Sequence, residues 1–218
     1  SAIRRLEREF PNDRFGLNKL YQGYRPAVAP SAIGPGLAPP TGKDSAAGMR
    51  SVGSGPCTPD RCFGSALIRW RSELSRCATG LRIGVLDTAV DHLHPALQSR
   101  RINLGTFIPE GQQRASNWHG TGVLALLAGA PGSGTPGLVP DASFYVADVF
   151  RTDSQGQSVT ETASLIEALD WMQRFKVKVV NASVAGPADA LLAEKIQQLQ
   201  ATGMIFIAAA GNGGPAAP

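Results

Sequence analysis

Short apolar runs alternate with longer amphipathic segments along the second half of the chain. Four runs rich in branched and aromatic residues have the pattern of strands buried on both faces: "LRIGVLD" (81–87), "SFYVADVF" (143–150), "VKVVNAS" (177–183) and "MIFIAAA" (204–210). Helical periodicity lies between these runs, over residues 120–129, 159–174 and 189–201. Strands that alternate with helices of this length form right-handed βαβ crossovers. The pattern therefore predicts an α/β fold with a doubly wound, mainly parallel sheet and helices on both faces.

The first part of the chain has a different pattern. Within residues 1–27, "AIRRLEREF" has the pattern of a short helix and "FGLNKLYQGYRP" that of a turn or strand. Residues 28–61 consist mostly of Pro, Gly, Ala and Ser and have almost nothing to bury, which is typical of a linker that proteases cut readily. We therefore predict an amino-terminal segment, a linker, and a globular unit over residues 62–218.

Composition and charge narrow the classes of function. The chain has 218 residues, of which 43% are hydrophobic, so it can bury one substantial core. Its net charge of +4 comes mainly from scattered arginines, without a lysine-rich stripe or interleaved aromatic residues, which argues against a nucleic-acid groove. No apolar run approaches the ~20 residues that cross a bilayer. Any membrane attachment would have to come from a segment outside this chain.

Three cysteines, Cys57, Cys62 and Cys77, lie just before the first strong strand. An odd count allows at most one internal disulfide. A zinc site would need a fourth ligand, and His92 and His94 do not have the usual paired spacing. We therefore expect no metal site and a disulfide between two of the three cysteines in an exported protein, either secreted or periplasmic.

Polar side chains follow three of the predicted strands at the point where each strand ends. Asp87 ends the first run, Asn181 and Ser183 close the third, and Asn212 follows the fourth. In a parallel sheet these ends meet at one edge, where ligands bind. A buried carboxylate needs a partner, and His119 in "NWHGTG" is the candidate for Asp87. Together they have the composition of the carboxylate and imidazole half of a nucleophilic triad.

Each of these residues also has a simpler interpretation when it is taken alone. His119 fits a half-buried ring bonded to a backbone carbonyl, and Asp87 fits a cap for the loop that follows it. Asn212 fits the left-handed position of a turn in "AAGNGG". Their joint placement along successive βα units favours a site.

Four motifs carry a family resemblance. The stretch "IGVLDTAVDHLHPAL" resembles the aspartate motif of the subtilisin-like serine peptidases, and "HGTGVLALLAG" resembles their histidine motif. The stretch "VVNASVAGP" resembles their substrate-pocket strand, and "IFIAAAGN" resembles the segment that bears their oxyanion asparagine. They occur in the family's order, and the resemblance covers about residues 62–213. It implies a subtilisin-like fold that is incomplete in this chain and needs no cofactor.

The resemblance also implies roles for individual residues. Asp87 would orient His119, which would act as general base towards a serine and then as acid towards the leaving amine. Asn212 would donate its side-chain amide to the oxyanion. The remaining predicted site residues bind the substrate: Ser154, Gln155 and Gly156 through backbone pairing with an extended peptide, and Ser183, Val184, Ala185, Ala209, Ala210 and Gly211 as walls of the pocket before the scissile bond.

The chain departs from the family pattern at several positions. Gly122 stands where a second His or an Arg is frequent, and Ala185 stands where Gly is commoner. The loop at 130–137 lacks the Asn and Asp oxygens with which relatives hold calcium, so we predict no calcium there. His94 followed by Pro fits the family's loop after the aspartate, where we expect a structural role, and we expect His92 to be exposed.

The largest departure concerns the nucleophile. No motif of the Gly-Thr-Ser-Met-Ala-Pro kind occurs in the chain. We therefore expect the amino-terminal part of a serine endopeptidase, inactive alone, whose catalytic serine lies on a carboxyl-terminal segment of the same precursor. Residues 1–27 would then be the remnant of a propeptide.

Two alternatives remain open at this point. The first is a non-catalytic relative that keeps the groove to bind peptides or a partner. The second is a nucleotide-binding α/β domain, which is poorly supported because the glycines at 132–137 do not lie between a strand and a helix start.

Overall fold

The computed structural model describes residues 20–22 and 68–209. The strands are β1 (Leu20–Gln22), β2 (Arg82–Asp87), β3 (Arg101–Thr106), β4 (Ser143–Asp148), β5 (Arg151–Thr152), β6 (Ser158–Glu161), β7 (Val179–Ala182) and β8 (Ile205–Ala208). The α-helices are α1 (Trp118–Ala128), α2 (Thr162–Arg174) and α3 (Ala190–Ala201), and short 3-10 helices cover Ser72–Ala78 and Pro95–Leu97.

Five parallel strands form the main sheet, in the order β3-β4-β2-β7-β8. The central strand, β2, pairs with β4 on one side and with β7 on the other. Five of its six residues are buried, which accounts for the unbroken apolar run in the sequence. The predicted doubly wound α/β fold is confirmed.

Two hydrophobic clusters cover the two faces of this sheet. Successive residues of β2 point to opposite faces, so Val85 belongs to the cluster that contains Leu124 of α1. Leu86 belongs to the opposite cluster, which contains Leu165 and Met172 of α2. Helix α2 packs closely against the sheet, because an added Cβ at Gly84 would lie 2.5 Å from the sulfur of Met172. The carboxyl end of β2 is therefore held between two packed layers.

The structure adds a strand that was not predicted and shortens a predicted helix. Strand β3 was not predicted, because it is an edge strand whose sequence, RINLGT, has no apolar run and leaves Leu104 half exposed. The helix predicted over 159–174 begins at Thr162, and the preceding residues form β6. The β-branched Val159 pairs with strands on both sides and Thr160 pairs with β1, which outweighs their helical spacing.

A second, three-stranded antiparallel sheet has the order β1-β6-β5. Its β1 strand lies within the segment predicted to be a turn or strand, and Tyr21 pairs with Thr160. The Tyr21 side chain is buried against Gly186, where an added Cβ would lie 2.1 Å from the ring. The predicted helix near the amino terminus and the linker at 28–61 lie outside the described residues.

Two apolar surfaces remain uncovered in the described part of the chain. Helix α1 is apolar almost all round, and its outer side exposes 76% of Trp118 and 60% of Leu126. Strand β8 forms one edge of the main sheet and leaves Ile205 and Ile207 more than half exposed. A helix that is apolar on all sides is normally covered on all sides.

Among residues 20–22 and 68–209, no helix has the length and apolar content to cross a membrane.

Candidate active site

Asp87 and His119 form the centre of the candidate site. Asp87 is the last residue of β2 and is fully buried. Its Oδ1 accepts a hydrogen bond from the backbone N–H of Thr88 (N···O 2.7 Å) and lies 2.7 Å from Nδ1 of His119. The contact expected from the sequence is therefore present. Because a carboxylate accepts only, Nδ1 carries the proton and Nε2 is the basic nitrogen of the neutral ring.

The first turn of α1 is fixed to the loop after Asp87. The backbone N–H of Gly120 donates to Oγ1 of Thr88 (2.9 Å), and the N–H of Asp91 donates to Oγ1 of Thr121 (2.9 Å). An added Cβ at Gly120 would lie only 2.5 Å from the carbonyl oxygen of Thr88. The glycine in the histidine motif thus lets helix and loop approach closely enough for the Asp87 contact. The sequence did not single out Thr88.

The surroundings of His119 favour its protonated form. The hydrogen bond to Asp87 is the largest cause and raises the pKa of His119 above its ordinary value, and the negative charge of Asp87 adds to this. Partial burial of the ring opposes the rise. The result is an imidazole that is a stronger base than a free histidine, as a proton acceptor for a hydroxyl group requires.

A second buried carboxylate, Asp148, lies beside this pair. It ends β4 directly opposite Asp87 in the register, so both side chains are on the sheet face that packs against α1. Its Oδ2 accepts a hydrogen bond from Nε of Arg114 (2.6 Å) and forms an ion pair with Nη2 of the same guanidinium (2.6 Å). Burial raises the pKa of Asp148, and Arg114 opposes this rise. Asp148 was not predicted from the sequence, although it is a carboxylate at the end of a buried strand, as Asp87 is.

The predicted peptide-binding turn lies between β5 and β6. Ser154, Gln155 and Gly156 are exposed. The turn is held by Asp153, whose Oδ1 accepts the N–H groups of Gln155 and Gln157 (both 2.8 Å) and whose carbonyl accepts that of Gly156 (3.0 Å). The N–H groups of Gln155 and Gly156 are thus bonded inside the turn, so these two residues would pair with a peptide through their carbonyl oxygens.

The predicted pocket walls among the described residues lie at the same sheet edge as Asp87. The backbone N–H of Ser183 donates to the carbonyl of Leu86 (3.2 Å), which places the segment that continues through Val184 and Ala185 beside the end of β2. The N–H of Ala209 donates to the carbonyl of Ala182 (3.1 Å). Ala210, Gly211 and Asn212, the predicted oxyanion donor, lie outside the described residues.

The other two histidines have the places expected from the sequence. Nδ1 of His94 accepts the N–H of Ala96 (3.2 Å) and caps the second 3-10 helix, and His92 is exposed. Cys77 is an exposed free thiol, whereas Cys57 and Cys62 lie outside the described residues, so the expected disulfide is not shown. Within the described ranges, no group of three His, Cys, Asp or Glu side chains is placed to hold a metal ion.

A buried strand-end carboxylate bonded to a helix-borne imidazole, at the carboxyl edge of a parallel sheet, is the arrangement of the subtilisin-like peptidases. A model of the subtilase family matches residues 78–218, and the chain belongs to this family. It is 32% identical over 145 residues to a subtilisin of Bacillus sp. (strain TA39), a match that covers 62% of this chain and 34% of that protein.

Other known proteins agree with this membership. Subtilisin BL of Lederbergia lenta is 30% identical over 139 residues, which cover 62% of this chain and 49% of that protein. The solved structure of PagA, a prenylagaramide maturation protease, superposes with a TM-score of 0.53 and 26% identity over 67% of this chain and 50% of that one. The matched part therefore spans between a third and a half of the length of these curated relatives.

Proposed function

We propose that the chain supplies the aspartate and histidine of a serine endopeptidase whose catalytic serine lies on a carboxyl-terminal segment of the same precursor. The observation that carries this proposal is the 2.7 Å contact between Oδ1 of the fully buried Asp87 and Nδ1 of His119. A buried carboxylate that accepts from Nδ1 leaves Nε2 as the base, which is the function of this pair in a triad.

The proposed reaction has an acylation half and a deacylation half, and His119 acts first as a base and then as an acid in each half. Nε2 of His119 takes the proton of the serine hydroxyl while the serine oxygen attacks the carbonyl carbon of the scissile peptide bond. Asn212 donates its side-chain amide to the resulting oxyanion. The C–N bond breaks as protonated His119 gives its proton to the leaving nitrogen, and water then releases the acyl group by the same steps. Asp87 stabilises the imidazolium throughout.

The uncovered apolar surfaces support a further segment beside this site. The exposed side of α1 belongs to the same helix as His119, and the open edge at β8 leaves Ile205 and Ile207 exposed. A segment that covers these surfaces would lie next to His119, where the serine must be. The chain has no nucleophile motif and spans at most about half of its curated relatives, which agrees with this arrangement.

The proposed substrate is an extended stretch of protein or peptide. It would lie between two segments at the carboxyl edge of the sheet, 154–156 and 183–185, and add as a strand beside them. Residues 209–211 would form the far wall of the pocket for the side chain before the scissile bond. The small residues Ser154, Gly156, Ser183 and Ala185 in these segments would leave room for a backbone to approach.

We assign the amino-terminal part of the chain to activation and export. Residues 1–27 would be the remnant of a propeptide in a secreted or periplasmic zymogen, joined by the cleavable linker at 28–61. The pairing of β1 with β6, in the hairpin that carries the predicted peptide-binding turn, supports such a function. A disulfide among the three cysteines would brace the region before β2 in an oxidising compartment.

The test is to co-express the chain with the downstream segment and add a fluorophosphonate probe that labels activated serines. We expect label on the downstream segment and hydrolysis of an unfolded protein substrate, both lost in His119→Ala. The matched control is His92→Ala, which removes an exposed imidazole from the loop after Asp87 and leaves both signals unchanged.

Three outcomes would contradict the proposal. Hydrolysis by the chain alone would place the nucleophile within it. An active complex that tolerates His119→Ala would exclude the triad. Peptide binding without label or hydrolysis would favour a non-catalytic binding domain.

A further inference from the structure

The ion pair between the buried Asp148 and the exposed Arg114 has no part in the proposed chemistry. Asp148 is 3% exposed and lies next to Asp87 across the sheet. Its partner is not on a neighbouring strand but on the connection between β3 and α1. A buried carboxylate is costly unless it is paired, so the fold retains this group together with its arginine.

Arg114 lies on the approach to the helix that carries His119. Only three residues separate it from Trp118, where α1 begins. Asn117 occupies the N-cap position but makes no side-chain capping bond. The approach is instead attached to the carboxyl end of β4 and the residues after it: the N–H of Ala115 donates to the carbonyl of Phe150 (2.9 Å), and the Arg114 guanidinium binds Asp148.

The first turn of α1 is therefore held from two sides. On one side, Thr88 and Asp91 of the loop after β2 bond to Gly120 and Thr121. On the other side, Arg114 ties the incoming chain to Asp148. His119 lies between these two sets of contacts and reaches the end of β2 from there.

We propose that Arg114 and Asp148 are positioning residues that hold His119 against Asp87. The inference rests on the proposed peptidase function for its kinetic consequence, but the geometry that it describes does not depend on hydrolysis. Loss of the pair loosens the approach to α1, so that His119 spends less time in contact with Asp87. Because small displacements of a catalytic group cost much of its rate, a loss of about tenfold in kcat with little change in KM is expected.

A readout that separates positioning from charge is the pKa of His119. Among the described residues, the charged groups around it are Asp87 from β2, Asp148 from β4, Arg114 from the approach, and Asp91, whose Oδ1 accepts the N–H of Leu93. The bond to Asp87 is the main cause of the raised pKa, so loosening it lowers that pKa. Removing the positive charge of Arg114 without any movement would raise it instead.

The experiment uses the full-length protein and NMR titration of the His119 ring, together with kcat and KM over a pH series. We expect Arg114→Gln to lower the pKa of His119 and to move the acidic limb of the rate profile to lower pH. Arg114→Lys keeps the charge but loses the pair of donors from Nε and Nη2, so it should restore part of kcat. Arg101→Gln is the matched control, because it removes an exposed arginine whose side chain bonds the carbonyl of Asp141.

Each possible result either supports the positioning proposal or overturns it. A higher pKa of His119 in Arg114→Gln would show a charge effect and overturn the proposal, as would a pKa and kcat equal to those of Arg101→Gln. An additive loss in the double variant with Asp148→Asn would show that the two residues do not act as a pair. If the wild-type protein hydrolyses nothing, the proposed function fails, while the titration still decides whether Arg114 positions His119.

Discussion

Gly120→Ala tests how closely α1 must approach the loop after Asp87. The new Cβ would lie 2.5 Å from the carbonyl oxygen of Thr88 and 2.7 Å from that of Ala89, whereas ordinary contact begins at 3.4 Å. Both neighbours are backbone atoms, so they cannot turn aside as a side chain would. The helix and the loop must therefore separate by about 0.9 Å, the difference between ordinary contact and the observed spacing at Thr88.

That displacement acts directly on His119, which precedes the substituted residue. If the 2.7 Å distance between Nδ1 and Oδ1 of Asp87 grows by the same amount, it becomes about 3.6 Å, beyond the range of a hydrogen bond. Misplacement of a catalytic group by about 1 Å costs on the order of 100-fold in rate, or about 2.7 kcal/mol in the activation free energy. We expect that loss in kcat/KM of the complex with the downstream segment.

The assay is hydrolysis of a peptide substrate at a pH above the pKa of His119, so that the base is neutral in every variant. Gly122→Ala is the control, because it adds the same methyl group to the same helix with no described atom within 4 Å. Equal kcat/KM for Gly120→Ala and Gly122→Ala would refute the reasoning.

Two further predictions concern pH and the amino-terminal strand. The rate should increase with pH as His119 loses its proton, with a midpoint above the ordinary pKa of 6.5. The stabilisation of the folded state by protonated His119 is complete below pH 6.5 and is lost as the pH rises through the folded pKa. A rate limb at or below pH 6.5 would contradict this prediction. Gly186→Ala should expel Tyr21, because the new Cβ would lie 2.1 Å from its ring, and so make the linker and residues 20–22 easier to cut by limited proteolysis. Unchanged digestion would mean that Tyr21 does not hold β1 in place.

The central strands and the Asp87 contact were predictable because their signals are local. The run that ends at Asp87 is buried on both faces, so it is apolar throughout, and the histidine motif fixes the partner. Strand β3 gave no such signal, since it is an edge strand in which four of six residues are exposed and none is fully buried. The link between Asp148 and Arg114 joins residues 34 positions apart through a loop, and no periodic pattern encodes such a contact.

The strand order of the main sheet also bears on how the protein is made. The central strand, β2, has as its neighbours β4 and β7, which are synthesised well after it. At about 5–20 residues per second, roughly 5–20 s pass between the emergence of Asp87 and that of Ala182 at the end of β7. During that interval Asp87 lacks one wall of the sheet that buries it. The buried environment of Asp87 is therefore completed late in synthesis, and the nascent chain carries Asp87 and His119 for seconds before β7 is available beside β2.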